Sequence, residues 1–427
     1  MTKESERTYI QEIKKGPVFI EGWIHEIRDL AKIKFILLRD MTGVVQCILK
    51  DEKLMKKFSD LSVESVISIK GEAKPAQVKS PEVSQKEIEV EIKDFEIISK
   101  AEKLPINIHD KDIETGFAKR LDYRFLDFHT KRTQAIFRIQ TEIANSFREF
   151  FYNKGYMEIQ PPCIISAASE GGTELFPVQY FEKKAYLAQS PQLYKQMLAC
   201  SIEKTFTITP IWRAEKHNTT RHINEIRQMD IEVAFMNQEQ IMKEQELVVQ
   251  YIVKKVLEKC SEELKILNVK LKVPKAVYLH YEDAIKKAGG KVGEDFTPEQ
   301  EKVLGDMYPD SIIFTHSWPT SIKPFYIMPK NENPDEKESC GFDSLYGGIE
   351  ISSGGQRIHL PELLTKRIKA KKLDPKNFKG YIDSFRYGAP NHSGWSIGLE
   401  RLTQVICGLN NVKEATMFPR DRDRLTP

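Results

Sequence analysis

Five short strand-like segments near the N-terminus constrain the fold more than any other feature of this sequence. They span residues 18–27, 34–39, 44–49, 65–72 and 87–98, and the last of them alternates apolar and polar residues. Such alternation is typical of a β-strand with one buried face. Residues 41–43, Met-Thr-Gly, supply a turn between the second and third segments. Five strands in about eighty residues predict a small Greek-key barrel of the OB type.

A barrel of this type often binds single-stranded nucleic acid on its open face. Arg28, Phe35 and Gln46 would supply a charge for a phosphate, a ring for base stacking and an amide for a base edge. A purely structural barrel is the alternative, because Phe35 is also a good core residue.

Composition places few demands on the partners of this chain of 427 residues. Its 65 Lys and Arg against 62 Asp and Glu leave a net charge of +3, so affinity for a polyanion would come from local patches. The six cysteines show no C-x-x-C spacing, which signals neither a zinc site nor a disulfide framework. No apolar run approaches the roughly twenty residues of a membrane span. We therefore expect a cytoplasmic protein that does not enter a membrane.

The chain is predicted to contain two domains. Residues 1–101 form the barrel, residues 102–130 a charged connector, and residues 131–427 a larger domain with an insertion at about 239–330. Apolar residues at helical spacing from Ile136 to Phe150 predict a helix that ends before Gly155. Strands are expected at 312–315 and 325–328, and the insertion shows no residues that suggest chemistry.

A cationic loop separates two apolar segments, 206–212 and 231–235, which have the pattern of buried strands. The loop has roughly seventeen polar residues, and loops of this length are usually functional or disordered. It carries Arg213, Arg221 and His222. The alternative is a solvated, charged hairpin. Residues 394–398 fit the G-x-S-x-G nucleophile elbow, but no histidine follows Gly398, so that triad cannot be completed.

Together these segments resemble the class II aminoacyl-tRNA synthetases, in particular the aspartyl-tRNA synthetases of the archaeal and eukaryotic type. Three class motifs match: the helix and strand closing at Pro162, Arg213-Ala214-Glu215, and the Gly-Leu-Glu-Arg of 398–401. The strings at 169–172, 189–196 and 353–357 are similar to aspartate-pocket signatures of that family. The likeness covers nearly the whole chain.

The resemblance implies an α+β protein with an OB-fold anticodon domain and an antiparallel catalytic sheet flanked by helices. It implies a homodimer formed through the first motif, and an ATP-dependent ligase that joins L-aspartate to the 3′ end of the aspartate tRNA. The anticodon contacts would be Arg28, Phe35 and Gln46. Two readings from other classes stay open, an asparagine synthetase on the same fold and a catalytically idle RNA-binding paralogue.

The family pattern also implies a role for individual residues. Arg213 would bridge the reacting groups as a bidentate fork, and with Arg401 would be catalytic. The ATP site would comprise Arg213, Glu215, Arg221, His222, Ile223, Glu350, Gly398 and Arg401, with Mg²⁺ on Glu350 and Ser353. The aspartate site would comprise Glu170, Gln192, Lys195, Arg213, Asp230, Ser353 and Arg357, in which Lys195 and Arg357 face the side-chain carboxylate.

Several positions depart from the family pattern. Ser396 stands where glycine is usual, and Asn391 replaces a common proline. An aromatic ring that would stack on adenine is missing near Ile226, which leaves Arg227 as the candidate. At two positions linked to tRNA choice, His25 matches the relaxed form that also charges the asparagine tRNA, and Gln85 matches neither form.

Overall fold

The computed structural model describes residues 6–30, 32–108, 115–166, 175–216 and 218–427. The chain divides into two compact units, Met1–Asn107 and Ile108–Pro427, at a point inside the predicted connector. In the described ranges, no helix is long and apolar enough to cross a bilayer. All six cysteines are free thiols.

The first unit is a closed barrel of five strands in the order β1-β2-β3-β5-β4. Only β3 and β5 pair in parallel. The predicted five-stranded barrel is therefore confirmed. Its elements are β1 Gly16–Leu30, β2 Ile33–Arg39, β3 Val44–Leu49, helix α1 Glu52–Phe58, β4 Val66–Pro75 and β5 Ile88–Ser99.

The strand alternation sorts the side chains of the barrel between its core and its outside. Ile36 and Leu38 of β2 lie in the core, whereas Phe35 is only partly buried. The pairing of β1 with β2 slips by one residue between Ile24 and Glu26, so an extra residue is inserted there. That extra residue is His25.

The second unit is built on an eight-stranded sheet in the order β12-β13-β14-β15-β16-β11-β10-β6. Its pairs are antiparallel except β12–β13 and β10–β6 at the two edges. The α+β prediction is confirmed. The sheet strands are β6 Met157–Glu158, β10 Lys204–Trp212, β11 Glu225–Ala234, β12 Lys275–His280, β13 Ser311–His316, β14 Gly341–Tyr346, β15 Ile349–Gln356 and β16 His392–Gly398, and a separate small sheet joins β7 Ile164–Ile165, β8 Pro177–Tyr180 and β9 Lys183–Leu187.

Helices cover the sheet and supply most of its core. Phe147 and Phe151 of α4 pack edge-on or tilted against Trp395 of β16, with ring centroids about 6 Å apart. As predicted, α4 ends before Gly155, whose φ of +77° suits glycine. The helices are α2 Phe117–Asp122, α3 Arg124–Asp127, α4 Lys131–Asn153, α5 Gln192–Ile202, α6 Gln238–Lys259, α7 Ser261–Ile266, α8 Tyr281–Lys287, α9 Pro298–Met307, α10 Pro361–Ala370, α11 Lys379–Ser384 and α12 Leu399–Ile406.

The strand expected at 312–315 is confirmed as β13, whereas two details of the second unit differ from the sequence-based expectation. The segment 239–330 contributes β12 and β13 to the main sheet. Residues 325–328 form no strand; prolines 324 and 329 bracket them, and Ile327 makes only an isolated bridge to Arg357. The cationic loop is shorter than expected because β11 already begins at Glu225. The first part of this strand carries polar residues that face the cavity, so it lacks the apolar pattern by which a buried strand is recognised.

Candidate active site

One cavity of about 370 Å³ lies on the central strands of the eight-stranded sheet. Lys195 is buried behind the lining residue Asp230, 2.7 Å from its Oδ1, and Glu170 lies outside the described residues. The other residues predicted for the aspartate and ATP sites all line this cavity. Its lining includes Gln192, Arg213, Glu215, Arg221, His222, Ile223, Asp230, Glu350, Ser353, Arg357, Gly398 and Arg401.

Sheet register brings residues from three distant parts of the sequence into one row. Ser396 on β16 pairs with Asp230 on β11 and with Ser353 on β15. Directly opposed residues of antiparallel strands point to the same face. Ser396 Oγ donates a hydrogen bond to Asp230 Oδ2 at 3.2 Å. The departure from glycine at this position therefore adds a polar contact to the floor of the cavity.

A cluster of four buried charges closes one end of the cavity, and we call it the four-charge cluster. Lys195 Nζ lies 2.7 Å from Asp230 Oδ1 and 3.5 Å from Glu232 Oε2. Arg357 donates from Nε to Glu232 Oε1 at 2.9 Å and from Nη2 to Oε2 at 3.3 Å. All four residues are at most 2% exposed. Two cations and two anions balance, which is how buried charge is tolerated.

Burial shapes the ionisation of this cluster. Burial raises the pKa of Asp230, although Lys195 acts in the opposite direction. Burial likewise opposes the charge on Arg357, but Glu232 outweighs it and raises the pKa of that guanidinium. The two cations predicted to face a substrate carboxylate are thus already held by carboxylates of the protein.

Glu232 is a cluster member that the sequence-based prediction missed. It lies two residues after Asp230 on β11, so both side chains point to the same face. The Asp-x-Glu spacing within a strand could have identified Glu232 from the sequence. Gly394 lies opposite Glu232, and a Cβ at Gly394 would stand 2.1 Å from Glu232 Oε2. The glycine makes room for the carboxylate.

The cationic loop forms the other end of the cavity. Asn224 donates from Nδ2 to the carbonyls of Arg213 and Glu215, at 2.7 and 3.0 Å, which holds the two ends of the loop together. His222 Nδ1 lies 2.6 Å from Thr219 Oγ1. Arg213 remains substantially exposed, and its Nη1 lies 3.8 Å from Glu215 Oε1. This arrangement leaves a guanidinium available to an incoming anion.

Two further arginines border this end. Arg221 donates from Nη1 to Glu301 Oε2 at 2.9 Å, and Arg401 donates from Nη1 to the carbonyl of Glu350 at 2.8 Å. Glu301 belongs to the segment in which the sequence suggested no chemistry, and the structure brings its carboxylate to Arg221. Nothing in the local sequence singles out Glu301, because α9 has the pattern of an ordinary charged helix.

Oxygen donors suited to a divalent cation lie beside these arginines. The described residues contain no group of three or more His, Cys, Asp or Glu side chains that could hold a metal alone. Burial and then the charge of Asp343 raise the pKa of Glu350 to about 7. Asp343 Oδ2 accepts from Lys323 at 2.5 Å, whereas its Oδ1 has no partner in the described structure. Ser353 lies opposite Asp343. Two repelling carboxylates and a hydroxyl fit Mg²⁺, which retains water and phosphate ligands.

Ile226 and the stacking candidate Arg227 stand where the family pattern has an aromatic ring for adenine. Ile226 lines the cavity. Arg227 donates from Nη2 to Glu225 Oε1 at 2.9 Å, and its backbone N–H donates to both oxygens of Glu400. Burial raises the pKa of Glu400 to about 7. The Arg227 guanidinium is thus held by its neighbour on β11.

The barrel of the first unit places the predicted RNA contacts on its outside. Arg28 and Phe35 are directly paired across β1 and β2. Gln46, between core residues of β3, donates to Glu89 at 3.2 Å. Arg28 is paired with Glu26 at 2.7 Å. These three side chains form a polar and aromatic surface patch.

The two positions linked to tRNA choice differ in what holds them. His25 is 9% exposed, and its Nε2 lies 3.9 Å from Glu82 Oε2. Gln85 donates from Nε2 to the carbonyls of Ile10 and Gln11, at 3.2 and 3.0 Å. The amide of Gln85 therefore ties a loop to the N-terminal segment.

Two family patterns match these two units. Residues 18–98 match the OB-fold nucleic acid binding domain. Residues 117–422 match the tRNA synthetases class II (D, K and N), a match that covers most of the chain. The chain belongs to the class II tRNA synthetases. The family predicted from the sequence motifs is confirmed.

Relatives and solved structures of this synthetase family agree with the match. The chain is 43% identical to the aspartate–tRNA(Asp/Asn) ligase of Archaeoglobus fulgidus over 97% of this chain and 98% of the relative. It is 38% identical to the aspartate–tRNA(Asp) ligase of Thermoplasma acidophilum over 99% and 100%. The asparaginyl-tRNA synthetase of Pyrococcus horikoshii with asparaginyl-adenylate superposes with a TM-score of 0.92 at 31% identity, covering 99% of this chain and 100% of that one. The two aspartate–tRNA ligases confirm the predicted family of aspartyl-type ligases.

Proposed function

We propose that this synthetase activates L-aspartate with ATP and transfers it to the 3′ end of the aspartate tRNA. The observation that carries the proposal is the four-charge cluster at the base of a cavity whose other end is rich in arginine. An amino acid with a second carboxylate matches the first end. A nucleoside triphosphate matches the second.

Activation requires positioning and charge neutralisation more than proton transfer. The aspartate α-carboxylate oxygen attacks the α-phosphorus, a P–O bond forms, and the bond to pyrophosphate breaks. The attacking carboxylate is already ionised, so no general base is needed. Arg213, exposed at the mouth of the loop, would contact the α-carboxylate and the α-phosphate together. Arg401 and Arg221, with His222, would bind the outer phosphates, while Glu215 holds the adenine amino group and Ile223 and Gly398 border the nucleotide.

Aspartate selectivity would come from exchange of partners within the four-charge cluster. The α-ammonium group would pair with Asp230, which frees Lys195 for the side-chain carboxylate. Arg357 would provide the second cation. Asparagine would leave a buried cation unpaired, and sites of this kind reject defective analogues by on the order of 10⁴ to 10⁵. Gln192 and Glu170 would complete the amino-acid site with Ser353.

Mg²⁺ would be held by Glu350, Asp343 and Ser353 together with phosphate oxygens. When bound, it neutralises charge on the triphosphate. Asp343 is our addition to the two ligands suggested by the family motif, because its Oδ1 is unpartnered and it faces Ser353 across the strand pair.

The barrel would bind the anticodon through Arg28, Phe35 and Gln46. We further propose that the asparagine tRNA is charged as well. His25 matches the relaxed pattern, and the relative from Archaeoglobus fulgidus carries both tRNAs in its name. Cytoplasmic location remains a prediction.

A homodimer would form through α4 and β6. Tyr152 and Met157, at the end of α4 and on β6, are 75% and 56% exposed. They border a surface groove that also includes Arg148 and Phe206. Large exposed apolar side chains at one sheet edge are typical of a surface that another subunit covers.

The test is aspartate-dependent ATP–pyrophosphate exchange with purified protein, followed by aminoacylation of aspartate and asparagine tRNA transcripts side by side. We expect exchange with aspartate and not with asparagine, and charging of both tRNAs. Exchange with no amino acid would favour the idle RNA-binding paralogue. Release of asparagine from aspartate, ATP and ammonia without tRNA would favour an asparagine synthetase.

A further inference from the structure

Glu301 links two groups that the proposed function assigns to ATP and its metal. Its Oε2 accepts a hydrogen bond from Arg221 Nη1 at 2.9 Å and another from the backbone N–H of Glu350 at 3.0 Å. The residue is only 9% exposed. One carboxylate oxygen therefore joins the cationic loop to β15.

The helix that carries Glu301 is held firmly in place. Thr297 and Gln300 form a reciprocal capping box at the start of α9. One turn beyond Glu301, Gly305 lies so close to the Gly347–Gly348 turn that a Cβ would stand 2.6 Å from Gly348 Cα. Helix and turn are thus in direct backbone contact, which sets the position of the carboxylate.

This contact leaves most of the Arg221 fork available. Its Nη2 also donates to the carbonyl of Gly348 at 3.3 Å. A guanidinium has five N–H donors, and these two hydrogen bonds use two of them. The remaining donors can bind phosphate oxygens without the cost of first ordering a long, flexible side chain.

The charges around Glu301 favour such an anchoring role. Arg221 donates a hydrogen bond to it, and the charges of Arg401 and Asp295 also act on it. Burial raises the pKa of Glu301, while the Glu350 N–H and the two arginines lower it. The Glu301 carboxylate therefore pairs directly with Arg221, and its charge is also attracted to that of Arg401.

We propose that Glu301 is a positioning residue for ATP, which holds Arg221 towards the triphosphate and fixes the main chain at Glu350. The proposal rests on the proposed function, because that function assigns Arg221 and Glu350 to the nucleotide and its metal. In the described part of the structure, the hydrogen bonds and ion pair of Glu301 join it to Arg221 and Glu350 rather than to the four-charge cluster. We therefore expect its effect to be specific to ATP.

The test compares Glu301→Gln with Asp306→Asn, which removes the same charge from an exposed position on α9. In pyrophosphate exchange, we expect Glu301→Gln to raise KM for ATP about tenfold and to leave KM for aspartate within about twofold. Asp306→Asn should match the wild type. In an Arg221→Gln background, Glu301→Gln should add little, since the two residues act together.

An unchanged or lower KM for ATP in Glu301→Gln would overturn the proposal; a lower value would mean that Glu301 competes with ATP for Arg221. Equal increases in both KM values with a lower Tm would indicate a structural role only. Calorimetric titration of each variant with Mg-ATP alone tests the same point without aspartate. If the wild type activates no amino acid, the proposed function fails, and the ATP titration still decides the role of Glu301.

Discussion

Replacing Lys195 with leucine is the sharpest test of how the four-charge cluster selects aspartate. The lysine is 1% exposed, and its amine donates to Asp230 at 2.7 Å and to the carbonyl of Trp395 at 3.1 Å. Leucine keeps part of the aliphatic stem but removes the cation. Arg357, which is paired with Glu232, would then be the single cation of the cluster left to balance two carboxylates.

The expected loss follows from the burial of the pair. Removing one partner of a buried ion pair costs about 3–5 kcal/mol, because the other charge is left uncompensated. Burial already raises the pKa of Asp230, and protonation would limit the loss, so we expect a decrease of about 3 kcal/mol in the free energy of unfolding near pH 7. The loss should shrink as pH falls, because Asp230 then becomes neutral.

The effect on activity should exceed the effect on stability. Without Lys195 the substrate carboxylate loses one of two buried cations, and we expect aspartate-dependent exchange to fall by on the order of 10⁴. Mg-ATP binding, measured by calorimetry, should be retained. Lys204→Leu is the matched control, since that lysine lies at the start of β10 outside the cavity. Near-normal exchange in Lys195→Leu would refute the assignment, and parallel loss of ATP binding would show that the variant is misfolded.

Three other perturbations test separate parts of the synthetase. Gly394→Ala would place a methyl group 2.1 Å from Glu232 Oε2. We expect the free energy of unfolding, measured by denaturation, to fall by about 1–3 kcal/mol and the KM for aspartate to rise. Unchanged values would contradict the close packing. The pKa of Glu350 is raised to about 7, so Mg-ATP affinity should fall as pH drops below 7, and Glu350→Gln should bind weakly without that dependence. Since the folded-state pKa of Glu350 is raised, its ionisation should also reduce stability as pH rises through 7, a trend absent from Glu350→Gln. His25→Trp should abolish charging of the asparagine tRNA transcript and spare the aspartate transcript; equal charging of both would exclude His25 as the determinant.

Regular elements with strong local patterns were predicted well. The strands of the barrel, the helix before Gly155 and the strand at 312–315 all appear where the patterns indicated. In the barrel and the helix, the pattern repeats over many residues and ends at a turn or a glycine. By contrast, residues 325–328 have the composition of a strand but do not form one. Prolines stand on both sides of the segment, and proline has no N–H to donate to the hydrogen-bond ladder of a sheet.

The sequence by itself determined the family, because short motifs with unusual composition identify a class II synthetase without any knowledge of distances. Only the tertiary structure decided which charges meet. Glu232, Glu301 and Asp343 belong to no motif recognised in the sequence. Glu232 and Glu301 pair with arginines 125 and 80 positions away along the chain, and Asp343 faces Ser353 across a strand pair. Strand register and helix docking set those encounters. In a buried site the pairing of charges, rather than their presence, decides what the cavity can bind.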